Sequence, residues 1–187
     1  MFKFSVLGLL LLAVTTLSNA QRHVTYTNDN SIFITIEGDS SLYEYSTSEM
    51  LVRYNENTQK IECIIHVASL LPLNNYSPAV LPQDIFFAAN YPELHIQIEA
   101  PEEKINAGNL YTERLDRGIG MFIQNMPVNI TAPVVFTPDK RSLKLATTFE
   151  LILPEYSIAI PAKYTSMLTG RVRFAIQNAR SVEFFPR

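Results

Sequence analysis

The chain has 187 residues, 47% of them hydrophobic and 18% charged, with a net charge of −3 and a single cysteine, Cys63. That length suits one domain, and the balance of apolar and charged residues excludes a disordered chain, a collagen-like repeat and a body of membrane-spanning helices. A weakly acidic chain without blocks of like charge offers no footprint for nucleic acid or anionic membrane, and one thiol excludes an internal disulfide or a four-sulfur metal site.

Residues 1–20 carry Lys3, an apolar run over 6–14 and the small, polar ending Ser18-Asn19-Ala20, the order of a secretory signal and its cleavage site. The run is shorter than the roughly 20 residues a helix needs to cross a bilayer. The expectation is a signal peptide over 1–20, cleaved near Ala20, and one domain over 21–187 that is periplasmic or secreted and has no stable transmembrane anchor. An exported chain without disulfides relies on its core alone, which suits a bacterial envelope protein better than a small eukaryotic module. Asn75-Tyr76-Ser77 and Asn129-Ile130-Thr131 match the N-glycosylation pattern, which matters only in a eukaryotic secretory pathway.

After Gln21 the chain reads as a succession of strands. Ile32, Ile34 and Ile36 alternate with Phe33, Thr35 and Glu37, and the same two-residue period runs through Met50-Val52-Tyr54, Ile61-Cys63-Ile65-Val67 and Leu94-Ile96-Ile98. It returns in Leu143-Leu145-Thr147-Phe149-Leu151 and in Val172-Phe174-Ile176. Turn residues separate the runs: Asn28-Asp29-Asn30, Gly38-Asp39-Ser40-Ser41, Asn55-Glu56-Asn57, Gly108-Asn109, Asp116-Arg117-Gly118 and Pro138-Asp139-Lys140. This spacing predicts an all-β, antiparallel sandwich or barrel. Pro127, Pro133, Pro154 and Pro161 place their runs at edges, bulges or strand ends. One segment departs from the period. Over 82–90, Ile85, Phe86 and Ala89 stand at helical spacing behind Pro82, which predicts a short helix plugging one end of a barrel.

No nucleophile elbow, phosphate-binding glycine loop or metal-ligand spacing is present, so no enzyme activity, cofactor or metal is expected. His66 and His95 read either as half-exposed strand histidines or as members of a shared site, and Asp84 could approach His95. Cys63 falls on the apolar face of its strand, where burial makes a thiol inert. A barrel of about eight strands is either filled by side chains or wide enough for one small ligand. The candidate lining is Ile34, Val52, Cys63, Ile65, Ile96, Ile98, Phe122, Phe149, Leu151 and Phe174, together with Phe87 of the plug. It lacks charge, so any guest is apolar.

The segments 36–45 (Ile-Glu-Gly-Asp-Ser-Ser-Leu-Tyr-Glu-Tyr), 65–70 (Ile-His-Val-Ala-Ser-Leu) and 87–96 (Phe-Ala-Ala-Asn-Tyr-Pro-Glu-Leu-His-Ile) resemble the YceI-like family. So do Met126-Pro127-Val128-Asn129-Ile130, Phe149-Glu150-Leu151 and Ile158-Ala159-Ile160-Pro161, so that the resemblance runs from about Gly38 to Ile176. The chain departs from the family pattern at Phe122-Ile123-Gln124-Asn125, where glycine and lysine are usual. The resemblance implies an extended lipocalin-like barrel, exported, whose interior holds an isoprenoid or other long-chain lipid such as a fatty acid derivative. The alternative with the same fold is a ligand-free structural or interaction domain of the cell envelope with a filled core.

Overall fold

The computed structural model describes residues 26–140 and 142–182; the signal segment read from the sequence lies outside them. Nine strands follow along the chain: β1 (Thr27–Gly38), β2 (Leu42–Asn55), β3 (Lys60–His66), β4 (Leu71–Pro72), β5 (Glu93–Glu99), β6 (Glu113–Ile123), β7 (Met126–Asp139), β8 (Ser142–Ile152) and β9 (Leu168–Val182). Two short helices interrupt them, α1 (Leu81–Ile85) and α2 (Glu102–Asn106). Every strand pairing is antiparallel, and the wall runs β1-β9-β8-β7-β6-β5-β3-β2 and back to β1, which closes an eight-stranded barrel. The short β4 adds to the side of β2.

The alternation read from the sequence is the alternation of the wall. Ile32, Ile34, Ile36, Val52, Ile61, Cys63, Ile65, Ile96, Ile98 and Phe174 are wholly buried, and the residues between them face outward. Each such aliphatic or aromatic side chain contributes roughly 1.5–3 kcal/mol by leaving water. Leu143, Leu145, Thr147, Phe149 and Leu151 all point inward from β8, as their spacing requires.

Two expected turns lie inside strands instead. Asn28-Asp29-Asn30 belongs to β1, where the pairing with β2 slips by a residue, Asp29 takes a left-handed φ of 61° and Asn30 tucks its amide into the interior. Asp116-Arg117-Gly118 lies in the middle of β6, opposite Thr131 to Pro133 of β7. Gly118 lets the Glu99 carboxylate sit over the strand, accepting the Gly118 N–H at 3.1 Å; a β-carbon there would displace that flexible side chain. The plug helix is also shorter than its sequence suggests. It stops at Ile85, Phe87 turns left-handed at φ 54°, and Ala89 is exposed.

The barrel has two unlike ends. At one, the capped end, the chain makes the β1–β2 turn, the 67–92 connection with α1, the β6–β7 turn and the 153–167 connection. At the other lie the β2–β3 turn, α2, the β7–β8 turn and the outer termini of β1 and β9.

Candidate functional site

Nine of the eleven candidate lining residues face the interior: Ile34, Val52, Cys63, Ile65, Ile96, Ile98, Phe149, Leu151 and Phe174. Two do not. Phe122 is 62% exposed because Met121 and Ile123, its neighbours on β6, take the inward positions. Phe87 is 42% exposed because its left-handed backbone turns the chain away after Ile85 and Phe86 have covered the barrel end. Residues outside the candidate lining take their places: Met50, which the alternation had marked, and Tyr45, Val128, Val134 and Phe136, which it had not, are also fully buried. The signal of Val128, Val134 and Phe136 was obscured in β7, where three prolines and a run of Thr, Ala and Val blur the period. Among the described residues the only buried ionised side chain is Glu62, which belongs to the outward face of β3 and pairs with Arg53 at 2.5 Å. Glu113 and Arg117 of β6 share the inward parity of Ile119 and Met121 but lie at the far end, where they pair with Lys104 and Glu103 of α2, so the rest of the inner face is suited to hydrocarbon.

Cys63 is at the middle of this face, and burial pushes its thiol up to about 12. A group that stays a thiol at neutral pH is no nucleophile. Near the capped end, Phe149 stacks on Phe174 with ring centroids 5.1 Å apart, and Phe86 from the turn after α1 tilts against Phe174 at 6.2 Å.

Polar fastenings hold the cap over this interior. The β6–β7 turn has both central residues left-handed, Gln124 at φ 51° and Asn125 at φ 62°, the geometry that fits a two-residue hairpin to the twist of its strands. Glycine or asparagine is the usual occupant. Gln124 instead spans the barrel mouth: its amide donates to the carbonyls of Ile85 (2.9 Å) and Ala159 (2.8 Å), and its carbonyl accepts the Ala159 N–H (3.1 Å). The departure from the family pattern at 122–125 is thus the clasp that joins α1 to the 153–167 connection. A second fastening joins the same two parts. The Tyr164 hydroxyl donates to Asp84 Oδ2 at 2.7 Å, and Lys163 Nζ lies 2.8 Å from the same oxygen. These two bonds, with Lys163 the larger influence, hold the Asp84 carboxyl below its usual range. Asp84 is therefore engaged across the mouth and does not approach His95.

His66 and His95 do converge, on Glu93. His95 Nε2 lies 2.9 Å from Glu93 Oε2, and His66 Nδ1 lies 3.4 Å from Glu93 Oε1. All three side chains are on the outer face, and His95 and Glu93 border an open groove of about 300 Å³ whose apolar wall is Tyr91, Pro92 and Phe122. No group of three His, Cys, Asp or Glu side chains among the described residues is arranged to hold a metal ion.

No model of a known protein family matches the chain, and no curated protein sequence matches it. Solved structures do. A polyisoprenoid-binding domain from Saccharophagus degradans, described as implicated in plant cell wall breakdown, superposes with a TM-score of 0.63 over 82% of this chain and 95% of its own, at 11% identity. BcnA of Burkholderia cenocepacia superposes with a TM-score of 0.54 over 78% of this chain and 93% of its own, at 17% identity. The YCEI protein of Campylobacter jejuni covers 88% of this chain and 90% of its own at a TM-score of 0.45 and 9% identity. At such identities it is the fold that is shared. The chain shares with the first two of these structures the closed, lipocalin-like antiparallel barrel fold that its sequence resemblance implied.

Proposed function

We propose that the protein is an exported, non-catalytic carrier or binding protein that holds a long apolar amphiphile, an isoprenoid or fatty acid derivative, along the barrel axis. The observation that carries this reading is the inner face itself: aliphatic and aromatic side chains from all eight strands line it, and among the described residues its ionised groups, Glu113 and Arg117 of β6, are confined to the far end beside α2. The fold neighbour described as binding polyisoprenoids supports the same class of guest. A guest burying roughly 400 Å² of apolar surface gains on the order of 10 kcal/mol at about 25 cal/mol per Å². Association costs reduce this, yet leave enough for about micromolar binding.

Native mass spectrometry of the purified protein tests it. The expected result is a bound species of long-chain lipid mass, partly lost in Ile98→Trp, whose larger side chain competes for the interior while β-rich circular dichroism is retained. A bare protein mass, with no uptake of labelled isoprenoid or fatty acid after delipidation, would overturn it. The Phe86–Phe174–Phe149 contact favours the second reading, a ligand-free structural domain whose interior is closed by its own side chains.

A further inference from the structure

Of the twelve large apolar side chains exposed among the described residues, nine lie at the capped end and three elsewhere. The densest group is on the 67–92 connection. Residues 67–83 are seventeen consecutive positions without a charged side chain, and four of them, Leu71, Leu73, Tyr76 and Val80, are more than half exposed, Tyr76 at 80%. Leu42 and Met167 extend the group. Leu42 sits where the Asn74 amide reaches its carbonyl, and Met167 sits where its own carbonyl accepts the Asp39 N–H.

This segment is not a frayed loop. The Leu73 N–H donates to the Glu44 carbonyl at 2.9 Å, the Ser77 hydroxyl accepts the Glu44 N–H at 2.8 Å, and the buried Tyr45 hydroxyl donates to the Pro78 carbonyl at 2.9 Å. Ser77, Asn74 and the backbone at 73 and 78 are bonded to β2 or within the segment while the apolar tips are held out in water. Leu71, Leu73, Tyr76 and Val80 stand within ten residues of one another, and tyrosine suits a boundary that is wet on one side and apolar on the other.

We propose that the capped end docks on a lipid bilayer, with 71–80 inserted at the headgroup boundary, and that this bilayer is zwitterionic. The charges decide the lipid. Lys163 is engaged by Asp84, Arg171 by Glu37 and Glu150, and Arg173 by Glu150, whereas the exposed Asp39, Glu44 and Glu155 add negative charge at this end. An anionic surface would repel such an end, and a neutral one would not. The inference rests on the reading that the barrel holds an amphiphile, because it names the surface from which that guest would be taken and places the clasped mouth against it.

The chain contains no tryptophan, so one introduced side chain reports its own position. The full chain carrying Tyr76→Trp is mixed with phosphatidylcholine vesicles whose acyl chains are brominated, beside a second protein carrying Tyr111→Trp near α2 at the far end. Emission from position 76 should be quenched about twofold, as for a side chain roughly 5–10 Å into the boundary, and emission from 111 should not change. Adding Leu71→Ser, Leu73→Ser and Val80→Ser to Tyr76→Trp should abolish the quenching while circular dichroism stays as before. Three results would overturn docking: no quenching at 76, equal quenching at both positions, or quenching that survives the serine substitutions. So would a dimer seen by ultracentrifugation that the serines dissolve, or a protein partner that competes for the face in place of lipid. Uptake of labelled isoprenoid from detergent is measured on the same proteins. Quenching without uptake sustains docking and sinks the carrier reading, whereas uptake without quenching does the reverse.

Discussion

The two ends of the barrel are closed by different chemistry. At the far end, Asn30 is buried and fully used: its amide nitrogen donates to the carbonyls of Thr27 (2.9 Å) and Met50 (3.0 Å), and its oxygen accepts the Arg180 N–H at 2.7 Å. That one side chain ties β1 to both of its wall neighbours, β2 and β9. Around it Arg53 meets Glu62, Asn55 donates to Glu62 at 2.8 Å, and Arg180 donates to Ser142 at 2.9 Å. The capped end has its strand-to-strand bonds on the outer face, where Arg171 of β9 pairs with Glu37 of β1 and Glu150 of β8. Its closure is a pair of connections, 67–92 and 153–167, lying over the mouth with apolar undersides (Leu81, Ile85, Phe86, Leu153, Ile158) and fastened to each other through Gln124 and Asp84. A closure made by bonding strand to strand opens only when the wall opens. A closure made by fastening one connection to another can open while the wall stays intact.

Substitutions ordered by expected effect test that contrast. The largest belongs to the wall beneath the cap, where Phe149→Asp places an unpaired charge against Phe174 and should destabilise by about 4 kcal/mol or more in chemical denaturation. Thr148→Lys, one residue along and facing water, should stay within about 0.5 kcal/mol. Glu150 would make a poor control, since it holds Arg171 at 2.5 Å and Arg173 at 3.4 Å. Next comes the far end: Asn30→Ala strands the Arg180 N–H and the Met50 carbonyl in the interior, at about 2–4 kcal/mol of global stability.

At the capped end Gln124→Ala should cost less, about 1–2 kcal/mol, and its main effect should appear as faster amide exchange in 81–88 and 153–160 with the wall unchanged. If Gln124→Ala and Asn30→Ala proved equally global, the two ends would be closed in the same way and the contrast would fail. The smallest effect is that of Asp84→Asn. Because the folded carboxyl is held low by Lys163 and Tyr164, the fastening is complete above the ordinary carboxylate range near pH ~4 and is lost as pH falls through the folded value. The pair is partly open to solvent, so the contribution should remain under about 1 kcal/mol. The acid limb of a melting-temperature profile should be shallower in Asp84→Asn than in the native chain.

The wall was legible in the sequence because each inward residue carries its own signal. Ile32, Ile34 and Ile36, or Leu143 to Leu151, declare a face by alternation alone, and six such runs account for six of the eight wall strands, β6 and β7 being the two that none announced. The mouth was legible only in part. Pro82, Ile85 and Phe86 announced a plug, but whether the next phenylalanine faces in or out depends on the left-handed turn at Phe87, which no local pattern marks. Phe122 misled because its neighbours Met121 and Ile123 are apolar too, so an unbroken apolar run hid the parity. Gln124 was visible as a departure from the family pattern, yet its meaning lies in Ile85 and Ala159, which are distant in sequence and adjacent only after closure. Likewise Glu93 draws His66 and His95 together across the β3–β5 pairing, where His66 and Glu93 stand opposite each other.

The wall is incompletely paired between β5 and β6, which share only three residue pairs, and it has a seam between β7 and β8. β7 and β8 pair from Asp139↔Ser142 to Val134↔Thr147 and stop there, and 148–152 of β8 continue against β9 alone. The Thr147 hydroxyl donates to the Pro133 carbonyl at 2.8 Å, so that carbonyl points across the seam. In an extended strand the backbone groups of alternate residues share a side, which aims positions 127, 129, 131 and 133 at the gap. Two of the four are proline and have no N–H to offer. An interrupted ladder is a template for a foreign strand, and unpaired donors are what recruit one into edge-to-edge aggregation. By removing half of those donors, Pro127 and Pro133 let a closed barrel keep a gap in its side without inviting a neighbour's strand to fill it.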